Sequence, residues 1–226
     1  KRFLNLYSDV VPTLFLSISC LILLLQGWLP AHGKRAKKIA VLSLLSSIAS
    51  AIWLNKVEIW SVIPLGFLFA TASFSRQASS TFIRYCMSIF TLILAFVIAR
   101  HALPGFHSLP WFSNITFSDG ANPFTLEGHF DKPWAGIILM LAYSPLSPGI
   151  KTPQRAFIGA LAASTLMIVI GIIAAVPVEP KWQPAIAVFL LHNLFFTCIA
   201  EEVFFRLLLQ QPLHLAFDRF RYGNAL

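Results

Sequence analysis

The chain has 226 residues, of which 57% are hydrophobic and only 12% are charged, and its mean hydropathy is +0.74. Soluble domains carry about a quarter charged residues, so this composition excludes a water-soluble globular protein and indicates an integral membrane protein. The net charge of +8 does not indicate a nucleic-acid partner, because the basic residues lie in short clusters between apolar segments.

Seven apolar segments predict an all-α fold, a multi-pass bundle of about seven transmembrane helices. In chain order the predicted spans are residues 10–29, 39–54, 59–74, 82–99, 134–146, 156–176 and 185–209. The second, third and fifth are short for a hydrocarbon core of about 30 Å, so they are expected to tilt little, to thin the bilayer or to fail to cross.

The distribution of Lys and Arg orients these spans, since cytoplasmic loops carry an excess of both. Eleven of the 17 Lys and Arg residues fall in one set of alternating loops, beginning with the cluster at 34–38, and six fall in the opposite set. This bias predicts that the N-terminus and the long loop 100–133 lie outside and that the C-terminal end lies in the cytoplasm.

The long loop contains His101, His107 and His129. Their spacing matches no metal-ligand pattern, so the sequence predicts solvated loop histidines. The aromatic residues of the loop are expected in a belt at the membrane interface. The loop also divides the chain into residues 1–133, with the N-terminal spans and the external loop, and residues 134–226.

Ionisable residues are almost absent from the first six predicted spans, but the seventh contains Glu201, Glu202 and Arg206. A charge at membrane depth costs about 2.5–3.5 kcal/mol on insertion scales, so this cluster indicates a functional site. Glu202 and Arg206 are about 40° apart around an α-helix and are predicted to pair. Glu201 is turned about 100° away from Glu202 and has no basic partner on its own helix. We therefore expect Glu201 to face a dry protein interior and to be free to act as a general base.

The sequence Glu201-Glu202-x-x-x-Arg206, followed by a leucine-rich run, resembles the first motif of the CPBP family, the CAAX proteases and bacteriocin-processing or immunity proteins. The resemblance implies an intramembrane endopeptidase with Glu201, Glu202 and Arg206 as catalytic residues, and it makes residues 134–226 the start of the protease core. It also implies a bacterial inner membrane, and the Lys and Arg bias places the motif near the cytoplasmic end of the seventh span. The family's second motif, Phe-x-x-x-His, does not follow Arg206. His214 and Asp218 have the spacing of the third motif, His-x-x-x-Asn or Asp, but they follow Arg206 too soon. We expect both later motifs in a longer protein.

The resemblance leaves the cofactor and two other functions open. The family is often classed with metalloproteases, which would imply a divalent metal such as zinc, yet no set of metal ligands is visible in the sequence. The protein could instead be a catalytically inert scaffold or immunity protein, or a transporter that uses the glutamates as a proton or cation relay. Carriers are expected to have internal repeats and interrupted helices, and neither is visible. The expected partners are the lipid bilayer and a membrane-anchored peptide or protein substrate.

Overall fold

The computed structural model describes residues 2–26, 33–116, 122–143, 153–175, 184–210 and 212–213. Its helices follow the apolar segments of the sequence in order. They are α1 (Arg2–Gln26), α2 (Gly33–Trp53), α3 (Val62–Gln77), α4 (Thr81–Ala99), α5 (Asp131–Tyr143), α6 (Pro153–Ile173), α7 (Pro184–His192) and α8 (Ile199–Phe204). A short 3-10 turn, Ile59–Ser61, leads into α3.

Four helices of the described chain are long and apolar enough to cross a membrane. They are Lys34–Trp53, Ile59–Gln77, Thr81–Ala99 and Ile186–Gln210. The largely helical membrane fold is thereby confirmed, whereas the number of about seven spans is not. The described apolar parts of the first and sixth predicted spans, Val10–Leu23 and Leu161–Ile173, are shorter.

α5 lies at the centre of the bundle and is not among the four candidate spans of the described chain. Its 13 residues extend about 20 Å, which is less than a hydrocarbon core of about 30 Å. All of its residues except Lys132 and Tyr143 are buried, and it packs against α1, α2, α3, α4 and α8. The described part of the predicted span at 134–146 is therefore short, as expected, and other helices rather than lipid cover it.

Buried hydroxyl groups join the central helix to α1 and α2. The Ser47 hydroxyl donates to the carbonyl oxygen of Pro12 at 2.8 Å and accepts a hydrogen bond from Nε1 of Trp134 at 3.0 Å. The Ser19 hydroxyl donates to the carbonyl oxygen of Ala40 at 2.8 Å. In apolar surroundings such polar contacts between helices fix their packing, because an unsatisfied donor would be costly.

The long loop contains a β-hairpin, which corrects the all-α prediction. β1 (Leu109–Ile115) pairs antiparallel with β2 (Phe124–Gly128), with irregular register. Trp111 of this hairpin contacts the rings of His192 and Phe196 at centroid distances of 5.8 and 5.9 Å. A chain segment packed along an apolar helix must satisfy its backbone N–H and C=O groups, and cross-strand pairing does so.

α6 differs from α5 in its surroundings. Its described side chains, 158–159 and 161–173, are exposed apart from the partly buried Gly171. Ile172 and Ile173 near its end are 64% and 79% exposed. An apolar surface of this kind is suited to contact with lipid chains or another apolar surface.

The regions 1–133 and 134–226 share one hydrophobic core in the described chain. The predicted boundary falls inside the first turn of α5, and α5 packs against α1–α4 on one side of the boundary and α8 on the other. Residues 214–226, which include His214 and Asp218 at the spacing of the third family motif, lie outside the described residues.

Candidate functional site

The two glutamates lie on α8, in the middle of one continuous last helix that runs from Pro184 to Gln210. π-Helical turns occupy Asn193–Cys198 and Phe205–Gln210, one before and one after α8. Such turns are rare and frequently occur at functional sites. The short α-helical segment that carries the glutamates is therefore bounded by a π-helical turn at each end.

Glu202 and Arg206 form the ion pair that their spacing predicts. Nη2 of Arg206 contacts Oε1 of Glu202 across four residues of the last helix. Both side chains are about half exposed, so the pair lies on the outer surface of the helix. A pair of this kind contributes about 0.3–0.5 kcal/mol in water, so we regard it as a local brace for the glutamate-bearing turn.

Glu201 has a partner that its own helix does not supply. Nζ of Lys132, in the first turn of α5, lies 2.7 Å from Oε1 of Glu201. The Glu201 side chain is 51% exposed and that of Lys132 is 20% exposed. The expectation of an unpaired glutamate in a dry interior is therefore wrong, because a cation 69 residues away in the chain reaches it across the helix interface. Oε2 of Glu201 has no hydrogen-bond partner in the described part of the chain.

A cleft of about 510 Å³ opens between α4, α5 and α8 beside this ion pair. Arg100, His101, Lys132 and Glu201 form its polar wall. The apolar wall consists of Ala95, Phe96, Ala99, Ala135, Gly136, Leu139, Ala200, Phe204 and Phe205. Clefts of about 300–1,000 Å³ with mostly apolar walls and a few converging polar groups are typical of ligand and substrate sites.

α5 and α8 approach each other closely under the cleft. A Cβ atom added to Gly136 would lie 2.9 Å from Cα of Ala200 and 3.1 Å from its Cβ. Small residues allow helices to come this close. The contact lies about one turn from Lys132, so it holds Lys132 and Glu201 within hydrogen-bonding reach.

His101 follows α4 in a backbone conformation that favours glycine. Its φ is 57°, in the left-handed region. Its N–H donates to the carbonyl oxygen of Ile98, and the N–H of Ala102 donates to that of Val97, which is the Schellman pattern of a helix end. The left-handed conformation costs a non-glycine residue about 1–2 kcal/mol. A histidine at such a position indicates a need for its side chain.

The ring of His101 is held by Asp131, a buried residue at the start of α5. Nδ1 of His101 lies 2.8 and 2.7 Å from the two carboxylate oxygens of Asp131. Oδ1 also accepts the backbone N–H of Lys132 at 2.7 Å. Because the carboxylate oxygens accept, Nδ1 carries a hydrogen, and in the neutral form of the ring the lone pair is then on Nε2. Asp131 thus orients His101 as the aspartate of a catalytic triad orients its histidine.

His129 stacks on His101 with ring centroids 4.1 Å apart. Burial lowers the pKa of the His129 imidazole and His101 lowers it further, against the opposing influence of Asp131 and Glu127. Nδ1 of His129 is buried and has no hydrogen-bond partner among the described residues. His101 and His107 are exposed, as predicted for solvated loop histidines, although His101 is also held by Asp131. The expectation is wrong for His129, which is only partly exposed.

The described residues do not fit the zinc ion that the family resemblance left open. Within the described ranges, no three His, Cys, Asp or Glu side chains are arranged to hold a metal ion. A catalytic zinc is held by three protein ligands, whereas the wall of the cleft supplies one carboxylate and one imidazole.

Glu201 lies at the same end of the bundle as the long loop, since it contacts Lys132 and shares a cleft with Arg100 and His101. The charge bias predicts that this loop lies outside, and it also predicts that the motif lies near the cytoplasmic end of the last span. The two predictions exclude each other, because the side chain of Glu201 directly contacts a residue of the loop's end.

Four polar residues of the site were not recognised from the sequence. They are Arg100, His101, Asp131 and Lys132. Two of them directly follow one apolar segment and two directly precede the next. Since the connection between two such segments returns to the same membrane face, this placement was the signal that could have brought them together.

Comparison with known proteins yields no match: no family model, no curated protein and no solved structure matches this chain. The resemblance to the CPBP family rests on Glu201-Glu202-x-x-x-Arg206 in its apolar setting.

Proposed function

We propose that this protein is a multi-pass membrane hydrolase, a glutamate-dependent endopeptidase that cuts a membrane-associated peptide or protein. The observation that carries the proposal is the cleft, in which Glu201 shares one wall with a histidine oriented by Asp131. The apolar residues that line the rest of the cleft suit a substrate that arrives from the bilayer. The family resemblance favours the bacterial inner membrane as its location.

In this proposal Glu201 is the general base. Its Oε1 is occupied by Lys132, so Oε2 is the oxygen that takes a proton from water. The oxygen of that water then bonds to the carbonyl carbon of the substrate. Nε2 of His101 then accepts this proton from Glu201. It donates the proton to the leaving nitrogen as the C–N bond breaks. The products are a carboxylic acid and an amine, and both side chains return to their starting states.

The cations of the cleft stabilise the negative charge that develops on the substrate's carbonyl oxygen. Lys132 and Arg100 lie in the same wall as Glu201 and supply N–H donors with full positive charge. Asp131 acts as a positioning residue for His101. Glu202 and Arg206 brace the turn that presents Glu201, so their contribution is to geometry rather than to proton transfer.

The proposal is tested by the substitution Glu201→Gln. The amide still accepts a hydrogen bond from Lys132, so abundance in the membrane should be unchanged, but it cannot take a proton from water. We expect cleavage to fall about 10²–10⁴-fold. The measurement is mass spectrometry of newly formed protein N-termini in membranes that contain the wild type or the variant.

Glu127→Gln is the matched control, because it makes the same chemical change at an exposed position of β2 outside the cleft. Its cleavage products should equal those of the wild type. Identical products from wild type and Glu201→Gln would remove Glu201 from the mechanism and favour an inert scaffold. Wild-type membranes with no more new N-termini than membranes lacking the protein would refute the endopeptidase itself.

A further inference from the structure

A second cleft lies at the opposite end of the bundle from Glu201, between α2, α3 and α5. Its volume is about 380 Å³. Lys37, Arg76, Ser73 and Gln77 supply its polar groups, and Phe69 and Leu141 are among its apolar ones. Lys37 lies near the start of one candidate span and Arg76 near the end of another, so the cleft lies where those spans end.

Arg76 is fixed across this cleft. Its Nη1 donates to the carbonyl oxygen of Ala142 at the end of α5. The neighbouring Ser75 hydroxyl is 3.1 Å from the hydroxyl of Tyr143, which links the same two helix ends. A guanidinium has five N–H donors in a fork, so one bond to a carbonyl leaves donors for a ligand. The contact with Ala142 fixes the orientation of the Arg76 guanidinium before any ligand binds.

The charged residues described around this cleft are all basic. We call this the basic end, and it comprises Lys34, Arg35, Lys37, Lys38, Arg76 and Arg84. The first turn of α2 contains no acidic residue, although the positive end of a helix dipole lies there and disfavours cations. Lys37 has no ion-pair partner among the described residues. An external anion would therefore relieve repulsion that the described chain does not relieve itself.

We propose that the Lys37–Arg76 cleft binds the phosphate headgroup of an anionic phospholipid. Its two cations and two neutral polar groups match a phosphate and its glycerol hydroxyls. The exposed ring of Phe69 continues the cleft along an apolar helix face, where an acyl chain would lie. Basic pockets between membrane helices bind such headgroups. The site is separate from the proposed hydrolytic cleft and does not depend on it.

The experiment titrates purified protein in neutral detergent with dioleoylphosphatidylglycerol, and it follows bound lipid by native mass spectrometry and the thermal midpoint. The wild type should bind this lipid and melt at a higher temperature, whereas dioleoylphosphatidylcholine should have no such effect. Lys37→Gln should weaken binding about five-fold, the effect of one cation near a headgroup. It leaves the Arg76–Ala142 contact in place, so melting without lipid should not change.

Lys38→Gln is the matched control, because it removes the same charge from the next residue, which is exposed and does not line the cleft. It should bind the lipid as the wild type does. Equal weakening by the two substitutions would overturn the site in favour of diffuse attraction. Equal binding of phosphatidylcholine would also overturn it. Inorganic phosphate that displaces the lipid and gives the same thermal shift alone would assign the cleft to a free anion instead.

Discussion

The two ends of the helix bundle hold their charges in different ways. At the cleft end, Glu201 contacts Lys132 and Asp131 contacts His101, so acids and bases from different helices meet in pairs. At the basic end, Lys and Arg residues lie together without an acidic neighbour in the described chain. Helices α4 and α5 contribute to both arrangements, each with its opposite termini.

The different arrangements of charge at the two ends suit two different functions, proton transfer and anion binding. Acids and bases paired across helices hold each other in fixed positions and can pass a proton, which is what hydrolysis requires. Cations without partners repel each other and gain when an anion arrives from outside, which is what headgroup binding requires. The cleft end is therefore expected to govern reaction rate, and the basic end to govern response to lipid.

Of the changes considered for the two ends of the bundle, removing the His101 side chain should have the largest effect, and that effect should be on cleavage. His101→Gly relieves the left-handed strain, worth about 1–2 kcal/mol, which only partly offsets the lost hydrogen bond to the buried Asp131 carboxylate, about 1.5–3 kcal/mol. We expect the free energy of unfolding to fall by about 2 kcal/mol or less while cleavage falls about 100-fold or more. Thermal denaturation and quantified new N-termini measure the two quantities.

Asn55→Gly is the control for that experiment. Asn55 has a φ of 53° in the turn between α2 and α3, is exposed and lies outside the cleft. The substitution should leave cleavage intact and stabilise the fold slightly. Wild-type cleavage by His101→Gly would confine His101 to a structural role at the end of α4.

Enlarging Gly136 should have the next largest effect. The added methyl group of Gly136→Ala meets Ala200 at under 3.0 Å, so α5 and α8 must move apart. We expect a loss of about 1–3 kcal/mol in the free energy of unfolding and a weaker Lys132–Glu201 contact. Gly66→Ala in α3 meets nothing within 4 Å and should be neutral or stabilising by up to about 1 kcal/mol. Similar denaturation curves for both variants would contradict the close approach of the two helices.

The smallest effect should be a dependence of stability on pH that arises at the cleft end. The pKa of His129 is lowered in the folded protein, so the unfolded chain binds more protons as the pH falls through about 6.5. Stability should therefore fall between pH 7.5 and 5.5, and His129→Gln should reduce that fall. Thermal midpoints at the two pH values measure it, and equal falls for both proteins would exclude His129 as a cause.

The positions of the helices were largely predictable from the sequence. α4 begins and ends within one residue of its predicted span, because an unbroken apolar run fixes where a membrane helix can lie. The environment of each helix was not predictable in the same way. α5 and α6 are both apolar all round, yet α5 is enclosed by helices and the described side chains of α6 are exposed. Apolar composition does not distinguish protein from lipid as the neighbour.

The same distinction applies to the candidate site: its contact within one helix was predictable from the sequence, whereas its contacts between distant segments were not. The pairing of Glu202 with Arg206 followed from helix geometry, because both residues lie on one helix. The partner of Glu201 did not, because Lys132 is 69 residues away and reaches it only through the packing of α5 on α8. The orientation of His101 by Asp131 spans 30 residues and the whole long loop, so no local pattern contains it.

The two π-helical turns of the last helix make its length adjustable. A π-helical turn accommodates one residue more than the surrounding α-helix while the helix beyond it keeps its direction and phase. A chain shorter by one residue within Asn193–Cys198 could therefore close that turn to regular α-helix and still present Glu201 to Lys132. The same deletion within α7 would rotate everything after it by about 100° and turn Glu201 away from the cleft. A one-residue deletion in this helix should thus be tolerated within Asn193–Cys198 and not within α7.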